Sequence, residues 1–148
     1  MELFLWRHAD ALSGSTDFER ELSPKGHEQA RKAAEWFREH APAGLRLFVS
    51  PAVRTRQTVA HFCRDENNIQ LCQPLYDNAA PKEILAILNW PKITLPALIV
   101  GHQPQIGFLA DHLLADVPHP DSFRKGALWW LRLEHEKNKT SLVNVIEP

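Results

Sequence analysis

The chain has 148 residues, which is the usual size of one domain, and we predict a single domain over residues 1–148. Apolar residues make up 44% and charged residues 24%, so the composition excludes a disordered chain. The formal net charge is -1. Because a dedicated nucleic-acid binder usually carries a basic excess, we expect no nucleic-acid partner.

Membrane association and export are not expected from the sequence. The longest apolar run, 95–100, is far shorter than the roughly 18 residues that a membrane span requires. The N-terminal residues lack the basic region and the apolar stretch of a signal peptide. Cys63 and Cys72 form neither a disulfide framework nor a metal-ligand pattern, which favours two reduced thiols. We therefore expect a cytoplasmic protein with no membrane contact.

Apolar runs alternate with helical periodicities along the chain. The predicted strands are 3–6, 45–49, a brief 69–71 and 95–100. Ser23 and Pro24 read as an N-cap followed by proline at the first helical position, which predicts a helix that ends near His40. Further helices are predicted to open at Ser50-Pro51, to span 81–89 and to begin at Pro104.

The order of these elements predicts the fold class. Strands that alternate with helices form a largely parallel sheet that is covered on both faces. Segments 127–134 and 141–146 read as a closing hairpin, which adds antiparallel strands. We predict an α/β protein, a three-layer α/β/α sandwich with a mixed and mostly parallel sheet. Of Trp129 and Trp130, one is expected in the core and the other over the sheet or on an exposed patch.

Arginine and histidine side chains follow three of the predicted strands. Arg7 and His8 end the first strand, Arg54 follows the second, and His102 follows strand 95–100. Because ligand sites in open α/β sheets lie at the carboxyl ends of strands, these groups should converge. Such a cationic cluster repels itself unless an anion occupies it, and guanidinium groups match phosphate oxygens. Arg56 faces another side of its helix and is expected to be solvated.

The predicted phosphate site has the groups for covalent catalysis. A neutral histidine is a good nucleophile towards phosphorus, and nearby arginines favour its neutral form. The other histidine can donate a hydrogen bond to the phosphoryl oxygens. The sequence has no carboxylate cluster suited to Mg²⁺, so we expect neither a metal nor another cofactor.

Four segments resemble the histidine phosphatase superfamily, which includes the cofactor-dependent phosphoglycerate mutases. LFLWRHA at 3–9 resembles its N-terminal strand and RHG signature, and SPAVRTRQT at 50–58 resembles its SPxxRxxQT segment. VGH at 100–102 is similar to its second-histidine segment. RELS at 20–23, with the downstream glycine and Gln-Ala pair, is similar to the segment that lies between the first two.

The resemblance implies a phosphoglycerate mutase-like fold and a role for each matched residue. His8 would be the phosphorylated nucleophile, and Arg7 and Arg54 would bind the phosphoryl group. His102 would be the second histidine of the pocket, and Arg20 an additional anion contact.

Two features point to the SixA-type phosphohistidine phosphatase branch. Ala9 replaces the usual glycine, and Ala9-Asp10-Ala11 looks like that branch. Larger members insert a helical cap where segment 73–96 holds only a loop and one short helix. This minimal cap implies a shallow, open pocket that suits a phosphorylated side chain on a protein surface.

The general acid is the remaining site assignment. The family usually places a Glu or Asp after the third strand, where Asp77 lies and Glu83 follows. An imidazole leaving group needs much less help from an acid than an alkoxide does. Asp77, Glu83 or no residue at all could therefore fill this role.

Three functions follow from these observations. The leading one is a phosphatase that acts on phosphohistidine in proteins through a covalent intermediate on His8. The first alternative is a phosphomonoesterase of the same superfamily that acts on a small phosphate ester. The second is a non-catalytic phosphate-binding module. The remaining histidines show no ligand spacing and are expected at the surface or as caps: His27, His40, His61, His112, His119 and His135.

Overall fold

A six-stranded mixed sheet is the centre of the computed structural model, which describes residues 1–14, 16–114 and 122–148. Its strands are β1 (Glu2–Arg7), β2 (Arg46–Val49), β3 (Ile69–Leu71), β4 (Ala97–Gly101), β5 (Leu128–Glu134) and β6 (Lys139–Ile146). The spatial order is β3-β2-β4-β1-β5-β6. The first four strands pair in parallel, and β5 pairs antiparallel with both β1 and β6. The predicted mixed sheet with its closing hairpin is confirmed.

The described residues include four α-helices, which connect the strands: α1 (Pro24–His40), α2 (Val53–Ala60), α3 (Pro81–Ile87) and α4 (Gln105–Leu113). The Ser23 hydroxyl accepts a hydrogen bond from the Gly26 amide at 3.0 Å, as expected of an N-cap. α2 begins later than predicted because the Ser50 amide still donates to the Val100 carbonyl of β4. α3 ends earlier than predicted, since Asn89 adopts a left-handed conformation with φ of 58°.

The helices cover both faces of the sheet. Along β1, Phe4 and Trp6 face one side and belong to the cluster that contains α1 and α2 side chains such as Phe37 and Val59. The alternate residues of β1 pack with α3 and α4 in the second cluster. The predicted three-layer α/β/α sandwich is therefore confirmed.

The two tryptophans of β5 follow this alternation. Trp129 is buried and stacks on Phe123 with ring centroids 4.6 Å apart. Trp130 is half-buried, stacks on Phe4 at 5.6 Å and meets the edge of Trp36 on α1 at 6.2 Å. One tryptophan is thus in the core, and the other covers the sheet beneath α1.

The segment between β3 and β4 is short and simple. It contains α3 and a 3-10 helix, Gln73–Leu75, that periodicity does not predict. This agrees with the predicted minimal cap. Cys63 and Cys72 are free thiols, half-buried and buried respectively. Among the described residues, no helix has the length and apolar character needed to cross a bilayer.

Candidate active site

The carboxyl ends of β1, β2 and β4 bring the candidate residues to one edge of the sheet. The His8 amide donates to the Gly101 carbonyl at 3.0 Å, and the Gly126 amide donates to the His8 carbonyl at 3.0 Å. The rings of His8 and His102 lie with centroids 5.2 Å apart, and both residues are buried. The structure thus brings together the two histidines that the sequence places 94 positions apart.

The hydrogen bond of His8 determines which ring nitrogen is available. Its Nδ1 lies 2.7 Å from the Ala9 carbonyl oxygen, which can only accept, so Nδ1 carries the proton. The lone pair of the neutral ring is therefore on Nε2. Burial, reinforced by the charges of Arg54 and Arg7, lowers the pKa of His8 to about 4. His8 is consequently neutral at pH 7, with its lone pair on Nε2.

His102 contributes a buried ring nitrogen to the same edge of the sheet. Its Nε2 lies 2.7 Å from the Ser50 hydroxyl, while Nδ1 is buried and unpartnered among the described residues. Burial, then the neighbouring His8 and Arg54, lower the pKa of His102 to about 3. When the Ser50 hydroxyl donates to Nε2, the neutral ring holds its proton on Nδ1, which can then donate to a bound anion.

The two arginines contribute further free donors. Nη1 of Arg7 donates to the Phe123 carbonyl at 2.8 Å, and the Nε of Arg7 is buried and unpartnered among the described residues. Arg54 is buried, and its Nε is likewise unpartnered there. Buried donors in folded proteins are almost always hydrogen-bonded, but the buried Nε of Arg46 and Nε1 of Trp129 also have no partner among the described residues. It is the position of Arg7, Arg54 and His102 at one edge of the sheet that indicates an anion-binding site.

The other residues of segment 50–58 hold the loop that follows β1. Thr58 Oγ1 accepts a hydrogen bond from the Ala9 amide at 3.1 Å. Gln57 Oε1 accepts from the Leu22 amide at 2.8 Å. This segment therefore supplies Arg54 to the site and fixes both ends of the loop from the second turn of α2.

The same loop is anchored on the N-terminus of α1. The Asp10 carboxylate accepts a hydrogen bond from the Ser23 hydroxyl at 2.6 Å, and Gln29 Oε1 accepts from the Asp10 amide at 2.9 Å. A Cβ atom on Gly26 would lie 1.9 Å from the Asp10 carbonyl oxygen. The glycine is thus required by close backbone approach, which explains its place in the motif.

The remaining candidates occupy different positions. Arg20 donates from Nε to the Leu12 carbonyl at 2.9 Å, and its charge contributes to the lowered pKa of His8. Asp77 is exposed and accepts from Gln73 Nε2 at 3.0 Å within its own segment. Glu83 is exposed in the first turn of α3. Arg56 is exposed and lies 3.5 Å from Glu66, as expected of a solvated side chain.

Two residues of the site, Asp17 and Tyr76, were not identified from the sequence. Nη1 and Nη2 of Arg54 donate to the Asp17 carbonyl at 2.7 Å and to its carboxylate at 3.1 Å. The Tyr76 hydroxyl donates to the same carboxylate at 2.9 Å, and its ring lies 5.8 Å from that of His102. Hydrogen bonds from Tyr76, Arg54 and Arg20, together with the charge of Arg54, lower the pKa of Asp17 to about 2. The only sequence signal was the i, i+3 spacing of Asp17 and Arg20 in a polar loop.

The other described histidines are not part of the candidate site. His119 falls outside the described residues. His27 and His61 contact each other at 2.9 Å between ring nitrogens. The rest are exposed: His40, His112 and His135. Within 1–14, 16–114 and 122–148, no three His, Cys, Asp or Glu side chains are grouped so that they could hold a metal ion.

A sequence model of the histidine phosphatase superfamily (branch 1) matches residues 3–76. This stretch is half of the chain and contains His8 and Arg54. The protein belongs to the histidine phosphatase superfamily. The resemblance read from the four sequence segments is confirmed.

Two relatives extend the comparison. An uncharacterized protein of Mycobacterium tuberculosis, Rv1276c, is 35% identical over 107 residues, which cover 70% of this chain and 66% of that protein. This match therefore spans slightly less than two thirds of the relative. Phosphohistidine phosphatase SixA of Escherichia coli is 25% identical over 147 residues, which cover 95% of this chain and 90% of SixA.

Solved structures show the same fold. A protein from Nakamurella multipartitia that is assigned as a phosphohistidine phosphatase SixA matches with a TM-score of 0.82 and 29% identity, over 99% of this chain and 95% of that one. A phosphoserine phosphatase from Entamoeba histolytica matches with a TM-score of 0.72 and 14% identity, over 99% and 97% of the two chains. The predicted phosphoglycerate mutase-like fold is confirmed.

Proposed function

We propose that this histidine phosphatase removes the phosphoryl group from phosphohistidine in proteins, through a covalent intermediate on His8. The observation that carries the proposal is the Nε2 lone pair of a neutral, buried His8, at the same edge of the sheet as three nitrogens that have no partner among the described residues. These nitrogens are Nε of Arg7, Nε of Arg54 and Nδ1 of His102, and as N–H donors they would suit three phosphoryl oxygens. Arg20 adds positive charge to the same region.

The first half-reaction transfers the phosphoryl group to the enzyme. Nε2 of His8 attacks phosphorus while the bond to the leaving group breaks and its electron pair departs with that group. The proton on Nδ1 of His8 stays hydrogen-bonded to the Ala9 carbonyl, so the phosphorylated ring is cationic. The donors of Arg7, Arg54 and His102 stabilise the charge that develops on the phosphoryl oxygens.

The second half-reaction regenerates the enzyme. Water attacks phosphorus, the P–N bond breaks, and its electron pair returns to Nε2 of His8. Phosphate leaves with the proton that water loses, and the ring is again neutral with its proton on Nδ1. The charge on the phosphorylated ring makes it a good leaving group, so neither half-reaction calls for a metal ion.

Protein phosphohistidine is favoured as the substrate by two features. The segment between β3 and β4 adds only α3 and one 3-10 helix over the site, so a phosphorylated side chain on a protein surface has access. The second feature is the weakness of the candidate general acids. The carboxylates that occupy the family's general-acid segment, Asp77 and Glu83, are exposed, and an imidazole leaving group needs little acid assistance.

We further propose that the protein acts in the cytoplasm, where its two free thiols would remain reduced.

A small phosphate ester is the alternative substrate. The structural likeness to a phosphoserine phosphatase favours this candidate at the level of the fold. A non-catalytic phosphate-binding module is less well supported, because all four groups of the nucleophile and its donors are present.

Rates with different leaving groups test the proposal. The purified protein is assayed with a phosphohistidine-bearing protein and with a panel of phosphate monoesters, including phosphoserine and para-nitrophenyl phosphate. We expect the highest kcat/KM with phosphohistidine. A higher kcat/KM with a small monoester would support the alternative, and binding of phosphate without turnover of any substrate would support the non-catalytic module.

A further inference from the structure

The carboxylate of Asp17 lies on the solvent side of the candidate phosphoryl site. One of its oxygens is 3.1 Å from Nη2 of Arg54 and 2.9 Å from the Tyr76 hydroxyl, and the other is 3.2 Å from Nη1 of Arg20. The Asp17 side chain is 56% exposed, whereas the Arg54 side chain is 7% exposed. Asp17 therefore forms part of the rim of the site, and Arg54 part of its floor.

The rim is where the leaving group must lie. In phosphoryl transfer, the attacking and leaving atoms are roughly in line on opposite sides of phosphorus. His8 is the buried group, with 8% of its surface exposed, so the leaving group lies towards solvent. The remainder of a large substrate must also stay outside the protein. The leaving group is consequently the part of the substrate that approaches Asp17 and Tyr76.

Asp17 is held as a carboxylate that accepts hydrogen bonds and cannot supply a proton. It receives hydrogen bonds from three side chains, Arg54, Arg20 and Tyr76. The lowered pKa that results keeps its carboxyl group ionised throughout the physiological range. A negative charge at the rim opposes the negative charge that develops on an oxygen leaving group, and it attracts the N–H of a substrate ring that is cationic before its bond to phosphorus breaks.

We infer that Asp17 is a specificity-determining residue, whose carboxylate accepts the N–H of a protonated phosphohistidine ring and disfavours phosphate monoesters. This inference rests on the proposed function and assigns its substrate preference to one side chain. A phosphohistidine ring carries the phosphoryl group on one nitrogen and a proton on the other. When the P–N bond breaks, its electron pair remains on the first nitrogen, and a neutral imidazole leaves with its proton already in place.

The test compares leaving groups in a charge-neutralised variant. Asp17→Asn keeps the size of the side chain and an acceptor oxygen for Arg54, but it removes the charge. Its kcat/KM is measured with a phosphohistidine peptide and with para-nitrophenyl phosphate, whose leaving group is an anionic oxygen. Glu19→Gln is the matched control, because it removes one negative charge from an exposed side chain of the same 3-10 helix.

We expect Asp17→Asn to lower the ratio of the two kcat/KM values, phosphohistidine over ester, by about tenfold, the effect of losing one charge-assisted hydrogen bond. The rate with the ester should rise, and Glu19→Gln should leave the ratio unchanged. Asp17→Glu, which restores the charge, should recover part of the preference. An unchanged ratio in Asp17→Asn overturns the inference. This includes the outcome in which both rates fall equally because Arg54 is less well held.

The proposed function is tested separately, with the wild-type protein alone. If the wild type does not hydrolyse the phosphohistidine peptide, the proposed function is refuted.

Discussion

Acidification should leave His8 neutral far below the pH at which an ordinary histidine is protonated. Burial and the charges of Arg54 and Arg7 lower the pKa of His8 from 6.5 to about 4. At pH 5.5, a ring with a pKa of about 4 is roughly 97% neutral, whereas a ring with the ordinary value is only about 9% neutral. The nucleophile should therefore remain competent at pH 5.5.

The same pKa makes folding stability depend on pH in a defined direction. The unfolded chain binds a proton at this histidine below about pH 6.5, and the native protein does so only below about pH 4. The free energy of unfolding therefore falls as the pH is lowered from 6.5 to 4. A pKa shift of this size corresponds to roughly 3 kcal/mol of the free energy of unfolding. This stabilisation is lost between pH 6.5 and pH 4, and no more of it is lost at lower pH.

Two measurements check this prediction. Ring resonances of His8, assigned by their absence in His8→Asn, are followed by NMR from pH 7 to pH 3.5 and should titrate near pH 4. Urea unfolding of the wild type and of His8→Asn at pH 6.5 and 4.5 should show a smaller loss of stability in the variant. Titration of His8 at or above pH 6.5 would refute the account of how burial and the arginines act on it.

Three other perturbations have defined outcomes. Arg54→Ala should weaken tungstate binding by about 1.5–3 kcal/mol in calorimetry, as a lost charge-assisted contact does, while Arg56→Ala changes it little; equal effects would place the wrong arginine in the site. Gly26→Ala should lower the free energy of unfolding by about 3 kcal/mol or more in urea titration, because its methyl group meets the Asp10 carbonyl; unchanged stability would contradict that contact. EDTA should leave kcat/KM unchanged, and loss of activity that Mg²⁺ or Zn²⁺ restores would contradict the histidine mechanism.

The parts of the fold that local signals specify could be predicted from the sequence. The capping serine and the proline after it mark the start of α1, and apolar runs mark the strands. The convergence of Arg7, His8, Arg54 and His102 followed from the rule for strand ends. The start of α2 was predicted too early, because the bond that keeps Ser50 in the sheet comes from β4, which lies 50 residues further along the chain.

The rim of the site could not be predicted because its contacts are not local. Asp17 and Tyr76 are 59 residues apart in sequence and meet only when the loop after β1 folds against the segment after β3. Neither residue lies in a periodic element that would reveal a buried or functional face. Arg20 could be suggested only by resemblance, and its partner Asp17 became evident from the structure.

The covalent intermediate provides the most direct test of the account. The wild-type protein is mixed with substrate that carries labelled phosphate and is quenched within one turnover, and the labelled residue is identified after proteolysis. We predict acid-labile label on His8 and no label in His8→Asn, although the variant keeps its fold. Label on another residue, or label that persists in His8→Asn, would contradict the assignment of His8 as the nucleophile.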